Sequence, residues 1–83
     1  MNQAIQVLDG CIYIETKKAL QVDVMVAGQM LVCYISGKDK ESLMSIYRAK
    51  QFEIEELIEQ QGLQEKWNSD GEIWLTADAI NVY

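Results

Sequence analysis

The sequence predicts an α+β fold: a small antiparallel sheet, made of a β-hairpin with an N-terminal and a C-terminal strand, packed on one long or kinked helix. Three observations predict it. Residues 19–26 alternate, with Leu20, Val22, Val24 and Val26 on one face and Ala19, Gln21, Asp23 and Met25 on the other. That period of two belongs to a half-buried strand. Ala27-Gly28-Gln29 makes a tight connection, glycine supplying positive φ, and Met30 to Ser36 runs back as the return strand. From Gly37 to Gly62, Leu43, Ile46, Tyr47, Ile54, Leu57 and Ile58 recur at steps of three and four, which places them on one helical face.

The remaining elements follow in chain order. Ala4 to Leu8 is a short apolar stretch ending at Asp9-Gly10, a strong two-residue hairpin signal. Cys11-Ile12-Tyr13-Ile14 then pairs back on it. The alternative is a loop over residues 9–18, with strand only at Ile5 to Val7. Glu15-Thr16-Lys17-Lys18 is a polar turn. The return strand is apolar on both faces, with Leu31, Cys33 and Ile35 on one and Met30, Val32 and Tyr34 on the other. Such a strand is covered on both sides or contributes to an interface.

Ser36 and Asp39 are the candidate N-caps of the helix. It runs to about Gln61, where Gly62 is placed to end it in the left-handed conformation. Leu63 to Trp67 can add a turn, and Asn68-Ser69-Asp70-Gly71 is a loop. Glu72 to Thr76 is the last strand, with Ile73 and Leu75 opposite Trp74, and one helical turn follows at Thr76 to Ile80 before a fraying end.

Composition bounds the function. The 83 residues make one domain, 1–83, with 49% apolar residues. A chain this short buries only about 60–65% of its unfolded surface, so pairing with another subunit would help it. Seven basic and 13 acidic residues leave a net charge of −6. That balance disfavours nucleic acid and anionic membrane surfaces, both of which need clustered Lys and Arg. Cys11 and Cys33 are too few for a disulfide framework. Met1-Asn2-Gln3 carries no basic n-region or apolar h-region, and the longest apolar run, Met30 to Ile35, is far too short to span a bilayer. The expected location is the cytoplasm. The chain has no histidine, so it lacks the commonest general base and transition-metal ligand.

The order of segments resembles the short bacterial proteins grouped as domain of unknown function 1488. The matching residues are Met1-Asn2-Gln3-Ala4-Ile5-Gln6-Val7, the hairpin with Gly28 at its turn, and Cys33-Tyr34-Ile35-Ser36. Phe52-Glu53-Ile54-Glu55-Glu56 and Gly71-Glu72-Ile73-Trp74-Leu75 complete them. The segment between Ser36 and Tyr47 is shorter than the family's, which argues against a separate first helix, and an arginine near Gln51 is missing. The resemblance implies an α+β fold and a bacterial cytoplasmic protein. It implies no activity, cofactor or functional residue.

No constellation supports catalysis. Glu53, Glu55, Glu56 and Glu59 cluster on the helix, but acid–base work needs a carboxyl in a pocket with a raised pKa, and Glu55 and Glu59 are neighbours on a solvated face. Carboxylates alone hold Mg²⁺ or Ca²⁺ weakly. A calcium loop over Lys66 to Ala77 fails at both its first and last positions, and a phosphate loop at Gly37-Lys38 fails because Val32 stands at its first glycine and Asp39 follows the lysine. Cys33 reads as a buried, unreactive thiol and Cys11 as an exposed one.

Two features point to protein contacts instead. From Lys38 to Lys50 there are four cations and two anions; from Gln51 to Gln61 there are four glutamates and no cation. In one continuous helix those signs oppose the macrodipole, at roughly 0.3–1 kcal/mol per misplaced terminal charge. An antiparallel helix pair across a two-fold axis would match them. Second, Met30, Val32, Tyr34 and Trp74, with Met25, share a sheet face and form a candidate interaction surface. The sequence therefore predicts a non-catalytic protein-interaction or regulatory domain, homodimeric or bound to another protein, with no cofactor. The alternative is a small-molecule or divalent-metal binder using the acidic helix face.

Overall fold

The computed structural model describes residues 5–81; Met1 to Ala4, Val82 and Tyr83, which include the start of the family-like opening and the end expected to fray, lie outside the described residues. Strands β1 (Ile5–Val7), β2 (Ile12–Ile14), β3 (Ala19–Val26) and β4 (Gln29–Ser36) are followed by helices α1 (Lys40–Ala49) and α2 (Gln51–Leu63). Strand β5 (Glu72–Thr76) and helix α3 (Ala77–Asn81) complete the described chain. This is the expected α+β class.

The β3–β4 hairpin is the centre of the sheet. Its eight-residue strands pair from Ala19↔Ser36 to Val26↔Gln29. Ala27 and Gly28 both take positive φ, 51° and 83°, the requirement of a two-residue turn that matches strand twist. Register then sorts the side chains. Leu20, Val22 and Val24 face Ile35, Cys33 and Leu31 on one side, and all six are buried.

The N-terminal edge differs from both expectations for residues 9–18. β1 and β2 do not pair with each other, and Cys11 to Ile14 is not simply loop. Both strands lie in tandem, antiparallel, along the same edge of β3, with Val7 opposite Val24 and Ile12 opposite Gln21. Four residues, Leu8 to Cys11, thus span two of β3, forming a bulge with Gly10 at φ 95°. The cause is long-range: eight residues of β3 offer more backbone pairing than a three-residue hairpin could. The turn at Glu15 to Lys18 delivers β2 onto the first half of β3, leaving the second half for β1.

The last strand is parallel to its neighbour, with Cys33 opposite Ile73 and Ile35 opposite Leu75. The sheet is therefore mostly, not wholly, antiparallel. The helices between β4 and β5 supply the long crossover that a parallel pair requires.

The helical segment is two helices, so a separate first helix exists despite the short connection. Asp39 is the N-cap of α1, its carboxylate accepting the Ser42 amide at 2.7 Å. The break falls at Lys50 (φ −127°, ψ 37°), which ends α1 and begins α2. Its amide still donates to the Ile46 carbonyl, and its carbonyl still accepts from Ile54. Breaking here also eases the charge conflict, although Lys40 remains at the start of α1. Arg48 now sits in the last turn of α1 and Glu53 in the first turn of α2, each at the favourable end of its own dipole.

Gly62 does not end the helix: α2 continues to Leu63, and positive φ comes at Glu65. Gly62 is a packing glycine. A Cβ there would stand 2.9 Å from Ile5 Cδ1, so the missing side chain lets β1 pass close to α2. Leu43, Ile54, Ile58 and Ile80 from the three helices all join the same core as Leu20, Val24, Leu31, Ile73 and Leu75. Helices thus cover one face of the sheet only. Among the described residues, none covers the other.

A candidate protein-contact face on the open side of the sheet

Strand pairing sets the open face out in rows across the strands. One row is Trp74, Tyr34, Gln21 and Ile12; the next is Glu72, Val32 and Asp23; the third is Met30, Met25 and Gln6. All four residues of the expected surface (Met30, Val32, Tyr34 and Trp74) fall here, and Met25 with them. Their exposure differs. Trp74 is 45% and Met30 51% exposed, whereas Tyr34 is only 7% exposed with no described helix above it. Val32 is half-buried.

Tyr34 is covered by its own neighbours. The Trp74 ring lies 4.8 Å away, tilted by 33°, a separation at which aromatic pairs attract. The Lys17 ammonium stands 5.1 Å from the Tyr34 ring centre, within range of its negative face. The Tyr34 hydroxyl donates to Gln21 Oε1 at 3.4 Å, and Gln21 Nε2 donates to Asp23 Oδ1 at 3.4 Å.

Trp74 is held by the loop before its strand. Asn68 Oδ1 accepts the amides of Asp70 and Glu72 at 3.0 and 2.9 Å, a local turn that asparagine is suited to make. Asn68 Nδ2 donates to Glu72 Oε1 at 3.0 Å, and the same oxygen accepts Trp74 Nε1 at 3.1 Å. Hydrogen bonds from Asn68 and then Trp74 hold the Glu72 carboxyl below its usual range, with a further contribution from the Lys17 charge. The exposed indole therefore sits in a fixed orientation.

Sequence reasoning missed three members of this face: Ile12, 64% exposed, and Lys17 and Glu72. The alternation of Ile12-Tyr13-Ile14 was the available signal for Ile12, because Tyr13 faces the core. Alternation puts Asp23 on the Met25 side of β3 and Glu72 on the Trp74 side of β5, but only strand register sets those two carboxylates on either side of Val32.

Other features offer less chemistry. Cys33 is buried and its thiol is pushed up to about 12, so it stays protonated at neutral pH. Cys11 is half-buried, not exposed. Burial raises its thiol, partly offset by Arg48, and its Sγ donates to Met44 Sδ at 3.7 Å. The bulge opens a shallow depression lined by Asp9, Gly10, Cys11, Ile12, Gln21 and Asp23, beside the Gly10 amide that donates to the Tyr47 hydroxyl at 3.2 Å. Glu53, Glu55, Glu56 and Glu59 lie together on α2, yet among the described residues no three His, Cys, Asp or Glu side chains converge as a metal site. No described helix is long and apolar enough to cross a membrane.

The sequence matches no family model and no curated protein. The fold matches the crystal structure of a protein of unknown function from the domain of unknown function 1488 family of Shewanella loihica. The TM-score is 0.77 at 23% identity, over 90% of this chain and 94% of that one. The chain thus resembles that family in fold across nearly its whole length, and the neighbour is itself bacterial.

Proposed function

We propose that this protein is a non-catalytic, cytoplasmic protein-contact domain that acts through the open face of its sheet, with a second copy of itself as partner. One observation carries the reading: Trp74, Met30 and Ile12 stand 45%, 51% and 64% exposed on a face that no described helix covers. Large apolar side chains left exposed together on one face are a mark of a partner site, and Trp and Met are enriched at such sites; here Gln21, Asp23 and Glu72 are interspersed among them. The fixed indole lowers the entropy that docking must overcome. Two unpaired thiols fit a reducing compartment. A split-charge helix pair has less to support it than the sheet face, because the segment is two helices that meet at Lys50.

Light scattering over a range of concentrations tests the reading. The wild type should gain mass with concentration, and Trp74→Glu should remain monomeric. A wild type that is monomeric at every concentration would remove the proposal.

A further inference from the structure

The open face carries a charge pattern that complements itself. Two carboxylates, Asp23 and Glu72, flank Val32 in one row across β3, β4 and β5. In the adjacent row the Lys17 ammonium stands over Tyr34, on the β4 column next to Val32. Positive and negative charge therefore alternate by one row, about 6.6–6.8 Å along the strands.

Face-to-face packing of two identical sheets places the two-fold axis in the plane between them. Two orientations preserve strand alignment. An axis along the strands sets every row opposite itself, so acid faces acid. An axis across the strands, midway between the Tyr34 row and the Val32 row, exchanges those rows. Lys17 of each copy then lies over Val32 of its partner, between two carboxylates. Resting on the homodimer reading above, we propose this second arrangement. Two copies pack open face to open face with β3 and β4 antiparallel to their counterparts, and each Lys17 is received by Asp23 and Glu72 of the other copy.

The hydrogen bonds within one chain fit that role. Glu72 is fixed as an anion by Asn68 and Trp74, and Asp23 is steadied by Gln21. The receiving carboxylates are thus oriented before a partner arrives, which reduces the cost of association. Lys17 is oriented by the Tyr34 ring. Sheets packed this way keep their strand directions within about 30° of each other, with side chains interleaved.

Area sets the strength. The open face is four strands wide and eight residues long at its centre, or roughly 19 by 26 Å from strand spacing and rise. Two such faces bury about 1,000 Å² in projection, at the lower end of specific interfaces. The dimer is therefore reversible and concentration-dependent, and its selectivity lies in the charges.

A charge exchange measured by sedimentation velocity tests the arrangement. Lys17→Glu alone and Asp23→Lys alone should each raise the dimer dissociation constant about tenfold or more, by placing like charges opposite one another. An equimolar mixture of the two should recover association, because the glutamate introduced in one copy then faces the lysine introduced in the other. Wild-type dimers should also weaken as salt rises, since exposed charges are screened over about 8–10 Å at ordinary ionic strength. A wild-type dimer that ignores salt, or a mixture of well-folded variants that does not recover association, would overturn this arrangement while leaving self-association intact. A wild type that never dimerises would overturn the reading beneath it. Should either variant fold poorly, the wild-type salt series alone decides.

Discussion

The two faces of the sheet are built from the same strands yet differ in what completes them. On the inner face Leu20, Val22, Val24, Cys33 and Ile73 are fully buried, and Leu43, Ile54, Ile58 and Ile80 come from three helices to meet them. On the outer face Tyr34 is covered by an indole and an ammonium, while Met30 and Trp74 remain about half exposed. The inner face is completed within the chain. The outer face is apolar enough to be completed and polar enough to stay in water. A strand such as β4, apolar on both sides, can thus serve stability with one face and association with the other.

The largest effect should follow from opening the inner face. Ile58 is fully buried on α2, and Ile58→Ala removes both burial and packing. We expect a loss of about 2–5 kcal/mol, read as a drop in the denaturation midpoint. The same substitution at Met30 on the outer face should cost within about 0.5 kcal/mol. Equal losses at the two sites would break the comparison.

Gly37 tests how tightly the crossover is joined to the inner face. An added Cβ would lie 2.7 Å from Leu43 Cδ2 and 3.2 Å from the Ala77 Cβ, and Leu43 is 1% exposed, so it has little room to yield. Gly37→Ala should destabilise by about 1–3 kcal/mol, measured by urea unfolding.

A smaller effect is expected at the start of α1. The Ser42 amide bonded to Asp39 holds that carboxyl below its usual range. A carboxyl whose folded pKa is lowered contributes stability above its unfolded value, near 3.9, and loses it as pH falls through the folded value. Asp39→Ala should therefore lower the melting temperature at pH 7 and narrow its gap from the wild type below about pH 4. A gap unchanged by acid would show that the carboxylate does not cap α1.

Much of this was legible in the sequence where local pattern and tertiary need agree. The alternation of β3, the Ala27-Gly28 turn, the Asp39 cap and the opposition of Trp74 to Ile73 and Leu75 all appear where they were expected. The departures arise where distant contacts outweigh local signals. Asp9-Gly10 is a good hairpin dipeptide, but the long edge of β3 claims both flanking strands. Gly62 has the composition of a helix end, but its lack of a side chain is used by Ile5. No glycine or proline marks the break at Lys50 and the apolar spacing passes through it; the switch from cations to glutamates at that point is its one trace in the sequence. The parallel placing of β5 depends on where the crossover lands. The pattern formed by Lys17, Asp23 and Glu72 exists only after register brings three strands together.

The most direct measurement is the solvent access of Trp74 itself. Trp67→Phe leaves Trp74 as the sole indole, and acrylamide quenching of its fluorescence can be followed as the protein is concentrated. A second copy on the open face predicts that quenching falls as dimers form and returns when salt is raised. Quenching that stays constant while the mass of the particle grows would contradict it, and would place the contact between copies on some other surface.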